Sequence, residues 1–447
     1  MWKSVQRYVL RELLPLLANL KLAIGLLLGI AATSALGTVI EQDETLAFYQ
    51  ENYPEHPALF GFLSWKVIAL LGLDHVYRTA WFLAILILFG ASLAACTWTR
   101  QWPLLKVARR WYYYQKPESF NRLALSVLIP QGSLRELEEQ LRQRRYWIQR
   151  RDDVLYARQG LAGKIGPILV HASMLLILAG AILGSLSGFK GQAMLPEGST
   201  GGITHLQTAG DFSHLPDWQI QVHRFWIDYD AQGRVRQFYS DLGIEDHGEE
   251  VKRQVISVNH PLSYRGVTLY QADWTISALQ VRINQSPPLR LPVVPIRQNG
   301  QNLWGTFIPT RPDLEDGVMV LLPDLQGTGI LYSTQGQWLT SLHTGDSWVT
   351  PDGKTIWLDQ VIGSTGLQMK RDPGIPWVYL GFGLLMVGVI MSYVSHNQWW
   401  ALSRPEGLYV GGKANRAIVI FDREFHQVIS NLSHDSGSLV EEVPSTN

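Results

Sequence analysis

The sequence is poor in cysteine, in net charge and in clustered metal ligands, and each shortage closes off a class of function. Cys96 is the single cysteine in 447 residues. One thiol makes no internal disulfide, no Cys-x-x-Cys redox pair and no structural zinc site, so any thiol chemistry around this chain belongs to a partner. Lys and Arg number 38, as do Asp and Glu, for a formal net charge of zero. That balance offers no bulk attraction to a polyanion such as nucleic acid. His205, His214, His223 and His247 show no metal-ligand spacing, and there is no internal repeat.

What is present is hydrophobicity, at 46% of residues and unevenly spread. Leu22 to Ile40, Thr79 to Thr99, Ile165 to Phe189 and a run beginning near Trp377 carry no Asp, Glu, Lys or Arg. Each approaches or exceeds the roughly 20 residues a helix needs to cross a bilayer. The chain therefore reads as an α+β integral membrane protein with four transmembrane helices. The first run is long for a signal peptide and lies behind the amphipathic "MWKSVQRYVLRELLPLLANLK", which is expected to lie along the cytoplasmic membrane surface.

Lys and Arg in the short loops set the orientation. The leader carries Lys3, Arg7, Arg11 and Lys21, and the segment 100–164 carries Arg109, Arg110, Arg142, Arg144, Arg145, Arg150 and Arg151. The loop from Glu41 to Tyr77 is acidic, with Lys66 its one cation. The expected order is a cytoplasmic leader (1–21), spans one and two around an acidic extracytoplasmic loop (22–99), a basic cytoplasmic segment (100–164), span three (165–189), a large extracytoplasmic domain (190–375), span four (376–396) and a cytoplasmic tail (397–447). In the basic segment, Leu134, Leu137, Leu141 and Trp147 mark a short amphipathic helix. Contact with anionic headgroups outranks nucleic acid there.

The large domain has β texture. "DWQIQVHRFWIDYDAQGRVRQFYSD" alternates around an Ala-Gln-Gly turn, and "VISVNHPLSYRGVTLYQADW" breaks at Pro261 and at Arg265-Gly266. A sandwich or two small packed sheets is expected. In the tail, "GLYVGGKANRAIVIFDREF" reads as a hairpin with a Gly-Gly turn, and the last dozen residues read as disordered.

His171 is the one ionisable side chain between Lys164 and Lys190. It lies about 9 Å from the start of span three, near the cytoplasmic leaflet. Such a histidine can be interhelical glue, and ionisable residues inside spans are equally functional candidates. Gly180, Gly184 and Gly188 form a small-residue stripe, and the nine-residue step from His171 to Gly180 is half a turn of the helical wheel. Span one carries a matching stripe in Gly25, Gly29, Thr33 and Gly37, so spans one and three are expected to pack together and leave His171 facing outward. A proton relay would need further ionisable residues in the spans, where only His396 is found. A metal site would need more ligands. Haem needs only one or two axial ligands and brings its own apolar ring.

Four stretches together resemble a known family. "LGTVIEQDETLAFYQENYP", "GKIGPILVHASMLLILAGAILGSLSGFKGQ", "VNHPLSYRGVTLYQADW" and "GLQMKRDPGIPWVYLGFGLLMVGVIMSYVSHNQWWAL" are similar, in order and spacing, to the CcsB/ResB family of System II cytochrome c biogenesis, in its cyanobacterial and plastid branch. The resemblance implies a subunit that works with a CcsA/ResC partner to carry haem b across the membrane and attach it to the CxxCH cysteines of apocytochrome c. It implies His171 as an axial haem ligand, a cyanobacterial thylakoid or bacterial inner membrane location, and a large domain on the lumenal or periplasmic side. No transit peptide precedes the first span, which fits a bacterial or plastid-encoded protein. The partner's tryptophan-rich haem segment and a thioredoxin-like CxxC are both missing, so the chain is expected to be inactive alone as part of a haem-lyase-type synthase.

The rival is a non-catalytic scaffold that binds partner and apocytochrome while His171 merely packs. A transporter with its own pore is disfavoured by four spans and no broken-helix pair. Trp399-Trp400 is read as an interfacial anchor. Lys190, Lys370 and Arg371 are read as snorkelling anchors, with a contact to haem propionates as the functional alternative. His260 is read as a turn residue, and Tyr264, Tyr270 and Trp274 as sheet core.

Overall fold

A computed structural model describes residues 12–58, 61–298, 301–311, 316–436 and 441–442. The expectations for leader residues 1–11 and for most of the last dozen residues, 437–440 and 443–447, lie outside the described residues. The chain divides into two compact units, one of Met1–Gln42, Phe62–Ile182 and Gly374–Asn447, the other of Asp43–Gly61 and Leu183–Pro373. Among the described residues, four helices are long and apolar enough to cross a membrane.

In the first unit, α1 is Leu20–Val39 and is capped by Asn19, whose side-chain oxygen accepts from the Lys21 N–H at 2.9 Å. Helix α2, Ala80–Cys96, starts at Thr79, whose hydroxyl accepts from the Phe82 N–H at 3.4 Å. It runs on through a π-helical turn at Thr97–Gln101 into Trp102–Arg109. Strand β1 (Leu125–Ile129) then leads to α3 (Leu134–Gln143), where Ser133 caps the Glu136 N–H. Strands β2 (Trp147–Arg151) and β3 (Val154–Gln159) pair as a hairpin before α4, Ala162–Ser187.

The second unit is strand-rich. Its first strands are β4 (Phe189–Pro196), β5 (Thr200–Gly201), β6 (His205–Ala209), β7 (Gln219–Tyr229), β8 (Val235–Asp246) and β9 (Glu249–Ser257). They are followed by β10 (Leu262–Tyr264), β11 (Val267–Ile283), β12 (Leu289–Pro292), β13 (Val294–Gln298) and β14 (Gln301–Pro309). Next come β15 (Gly317–Leu322), β16 (Thr328–Ser333), β17 (Trp338–His343), β18 (Ser347–Val349) and β19 (Thr355–Arg371). The turns fall where the sequence marked them: Gly233 closes β7 to β8, and Arg265-Gly266 closes β10 to β11 with positive φ of 45° and 79°.

Among the described residues the unit holds three sheets: β10-β11-β19-β4-β6 with β12 and β18 attached, β13 to β17 in sequence, and β5-β7-β8-β9. Two apolar cores share the long β11 and β19. One buries Leu269 and Met369 with Ile220 and Ile244, the other Leu279 and Leu358 with Val320 and Leu331. This is one sheet more than the sequence led us to expect, because two 17-residue strands are long enough to serve two cores in succession.

The chain then returns through α5 (Ile375–Tyr393), β20 (Asn397–Arg404), β21 (Gly407–Ala414) and α6 (Ile418–Ser436). Strand β20 pairs with β3 and β21 with β1, so the basic segment and the tail share one sheet. The tail hairpin turns at Pro405-Glu406 instead of at the Gly-Gly pair. Gly411 and Gly412 lie inside β21, where a Cβ would sit 2.3 Å from Leu123 and 2.8 Å from Phe421 respectively, on opposite faces of the sheet. The residues expected to form the return strand are helical, and Phe421, Phe425, Val428 and Leu432 bury one face of α6 on the sheet.

Helix pairing also differs from the expectation that spans one and three pack together. The small residues of α4 meet α5: a Cβ at Gly163 would lie 1.9 Å from the Val394 carbonyl, one at Gly166 2.5 Å from Ser392, and one at Gly180 2.9 Å from Val378. Gly381 and Gly388 answer from α5, against Ile177 and Val170. By contrast Gly25 and Gly29 on α1 have nothing within 4 Å.

Candidate functional site

With its glycine face against α5, α4 turns His171 the opposite way, toward α2, as the half-turn offset from Gly180 requires. Both ring nitrogens meet the π-helical turn. His171 Nδ1 is 3.0 Å from Thr97 Oγ1, and Nε2 is 3.1 Å from Gln101 Nε2. The Thr97 hydroxyl donates to the Leu93 carbonyl at 2.8 Å. Its single proton being committed there, Thr97 oxygen accepts from Nδ1–H, and the Nε2 lone pair accepts from the Gln101 amide. Gln101 Oε1 is buried with no partner.

Thr97 and Gln101 are four residues apart, hence neighbours on one face of their helix, and both side chains reach the one ring from within the π-helical turn. A π-turn widens the spiral and shifts the facing of the residues after it, and such turns concentrate at functional sites. Sequence reading named neither Thr97 nor Gln101. The available signal was the polar "TWTRQ" at the end of an apolar run.

His171 lines a pocket of about 460 Å³ between the start of α1, the second half of α2 and the first half of α4. That volume lies within the ~300–1,000 Å³ of small-molecule sites. Leu20, Ile24 and Leu27 form one wall, Phe89 and Leu93 a second, and Val170 and Met174 a third. Among the described residues no Asp, Glu, Lys or Arg lines it, and the hydroxyl of Ser92 donates to the Leu17 carbonyl at 2.7 Å. The chemistry on offer is therefore a largely apolar slot with the His171 imidazole, whose Nε2 lone pair is capped by Gln101, and with Asn19 and the Cys96 thiol also on its lining. Among the described residues no group of three or more His, Cys, Asp or Glu is placed to hold a metal ion, so a metal bound here must bring other ligands with it.

The remaining candidates fall elsewhere. His260 bridges to Ser257 in the turn before β10, and His223 pairs with Glu250 on the strand-rich unit. Tyr264 packs on Trp218 and donates to buried Asp246 at 2.7 Å, and Trp274 packs on Trp304. Tyr270, expected in the core, points outward. Trp399 and Trp400 are buried in the packing of the sheet that β20 forms with β3 and β21, instead of anchoring at an interface. Trp399 stacks on Phe425 at 5.0 Å, and Trp400 donates to the Tyr112 carbonyl at 3.0 Å. His396 lies past the end of α5, buried, its Nε2 unpartnered.

Comparison with known proteins supplies context for this geometry. The profile described as the ResB-like family matches residues 20–292 and 294–426. The chain is 63% identical over 437 residues to "Cytochrome c biogenesis protein CcsB" of Synechococcus sp. (strain JA-2-3B'a(2-13)), covering 95% of this chain and 93% of that one. It is 56% identical to the protein of the same name from Thermosynechococcus vestitus, covering 96% and 97%. Among solved structures, "Cytochrome c Heme Lyase CcmF" aligns over 69% of this chain and 30% of that one with 9% identity and a TM-score of 0.23, an overlap too slight to bear on fold or function.

Proposed function

The chain belongs to the ResB-like family, and from that premise we propose that it is a membrane subunit of cytochrome c biogenesis which takes haem b as its substrate at His171. The observation that carries this reading is the imidazole of His171 set in a largely apolar pocket, whose described lining has no charged side chain, with a lone pair on Nε2. The fit is chemical. A haem supplies four equatorial nitrogens of its own and an apolar ring, and asks the protein for one imidazole and a dry slot. Thr97 fixes the tautomer that leaves Nε2 free of its proton and lets Nδ1–H strengthen the donor, the usual support for a ligating histidine. The second axial ligand is then left to a partner of the CcsA/ResC type.

In the proposed arrangement the leader and the sheet built from 125–159 and 397–414 face the cytoplasm, and the strand-rich unit faces the lumen or periplasm, as the Lys and Arg distribution supports. The membrane is the thylakoid or plasma membrane of a cyanobacterium. The chemistry of attachment forms two C–S bonds, as each thiol of the apocytochrome motif adds across a haem vinyl group and its proton passes to the other vinyl carbon. Nothing in the His171 pocket is needed for that step beyond delivery and orientation of the substrate. The chain acts as one part of a haem-lyase-type synthase and scaffolds the apoprotein.

The second reading has an observation of its own. Both nitrogens of His171 already have partners, as a packing histidine would. It makes the chain a scaffold without a haem ligand. The visible spectrum of the protein purified with its membrane partner, native beside His171→Ala, separates the two. Loss of haem bands in the variant at normal assembly, restored by added imidazole, supports ligation. An unchanged spectrum leaves the scaffold.

A further inference from the structure

Five strands of the second unit place one residue each in a single row across the sheet. From edge to edge the row reads Thr208, Lys190, Lys370, Thr268 and Ser263, each directly opposite the next in antiparallel register. Directly opposed residues share a face with Cβ atoms about 4.5–5.5 Å apart. The contact of Ser263 Oγ with Thr268 Oγ1 at 3.1 Å shows that the side chains of this row do converge. The neighbouring row carries His205, Gln192, Gln368 and Tyr270, again with no carboxylate.

Two lysines set directly opposite each other repel, and a sheet selected for stability alone would not keep them. No ion pair is made by either among the described residues. The nearest acid in sequence, Asp372, lies against Gly184 of α4. A third cation extends the row, since Lys252 Nζ donates to the Ser263 carbonyl at 2.8 Å. Hydroxyls and amides flank the pair as neutral donors. Ammonium groups with hydroxyl neighbours and no counter-charge form a receptor for a ligand with two anionic oxygens groups.

We propose that Lys190 and Lys370 form a clamp for the two propionate carboxylates of haem, a second station distinct from His171. This rests on the haem-handling reading given above. Lys190 follows the end of α4 by three residues and Lys370 precedes the start of α5 by five. His171 and Ser187 are sixteen residues apart along α4, about 24 Å at the helical rise. One haem does not reach from the imidazole to the lysines, so the clamp receives its ligand after release from the first site.

The test uses the full chain in phosphatidylcholine nanodiscs, with ferric haem b and its dimethyl ester as probes, and the variants Lys190→Gln, Lys370→Gln and the double change. The native chain is expected to hold haem roughly tenfold better than the ester, and the double variant to bring that ratio close to one. Without haem, at low salt, the double variant is expected to melt higher than the native chain, because the repulsion is gone. Stability rising while carboxylate recognition falls is a signature that a structural pair would not give. The Lys190→Arg and Lys370→Arg variants, which keep the charge, are expected to keep the native preference. A native chain that binds ester and acid alike overturns the clamp, as does a preference unaltered in the double variant. Stabilisation of the native chain by phosphatidylglycerol, with no discrimination between acid and ester, assigns the lysines to lipid headgroups and also overturns it. His171→Ala separates the underlying reading: if it leaves both probes bound as before, ligation by His171 fails whatever the lysines do.

Discussion

Thr97 Oγ1 stands 2.8 Å from the Leu93 carbonyl and 3.0 Å from His171 Nδ1, so its one proton serves the carbonyl and the imidazole supplies the other. The tautomer of His171 is therefore set by a residue on a different helix. Removing the acceptor, as in Thr97→Val, leaves Nδ1–H unpaired in an apolar setting and frees the ring to place its proton on Nε2. Haem retained by the purified complex is expected to fall about tenfold, in the range seen when the partner of a ligating histidine is lost. The check is haem absorbance scaled to protein, with Thr97→Ser expected to retain the native level.

Gln101 holds the same lone pair that an iron would take. Its own Oε1 is buried and unpartnered, which costs about 1–3 kcal/mol. In the proposed reading the amide is thus a weakly held cap that must leave before ligation. In Gln101→Leu the cap is absent, and association of haem followed by stopped flow is expected to accelerate by roughly two- to tenfold, the equivalent of one net hydrogen bond. Dissociation, which breaks a bond Gln101 does not make, is expected to stay within about twofold. A slower association in the variant would assign Gln101 to holding the ligand instead.

The two glycine stripes separate packing from permissiveness. Gly163→Ala drives a methyl to 1.9 Å from the Val394 carbonyl, backbone that cannot move aside cheaply, and is expected to cost about 3 kcal/mol or more. Gly25→Ala meets nothing within 4 Å and is expected to be neutral or to stabilise by up to about 1 kcal/mol through helix propensity. Thermal unfolding of each variant in one detergent compares them directly. Equal melting temperatures would refute the α4–α5 seam.

How far the sequence revealed this molecule depended on whether the signal was local. Runs without charge located the four long helices, because exclusion of Asp, Glu, Lys and Arg is written residue by residue. Turn chemistry located Gly233 and Arg265-Gly266 for the same reason. His171 stood out as the one ionisable group between Lys164 and Lys190. Its setting did not, since Thr97 and Gln101 lie 74 and 70 residues away in sequence and meet it only through the packing of α2 against α4. The partner of the α4 glycines was misread because a small-residue stripe says that something approaches closely without saying which helix. Gly411-Gly412 was misread as a turn because close packing on both faces of a strand demands the same residue that a turn does. The lysine row is legible only once strand register is known.

The apolar helix α5 ends at Tyr393, short of the expected span end at 396, so His396 falls beyond it and gives a pH prediction. It is 3% exposed, and burial pushes its pKa down from 6.5 to about 4, with Lys164 and Arg158 adding like-charge repulsion. The folded chain thus holds it neutral, while the unfolded chain protonates it near its ordinary value. Above pH ~6.5 the ring is neutral in both states and contributes no pH dependence. Between ~6.5 and ~4 the unfolded state binds the extra proton, so folding stability falls as pH falls, by roughly 1.4 kcal/mol per pH unit and on the order of 3 kcal/mol in all. Below ~4 the folded state is protonated too and the loss levels off. Replacing His396 by Gln removes the titration. The native protein is expected to lose its melting-temperature advantage over His396→Gln steadily between pH 6.5 and 4, and a constant difference across that window would show that His396 is not held neutral by the fold.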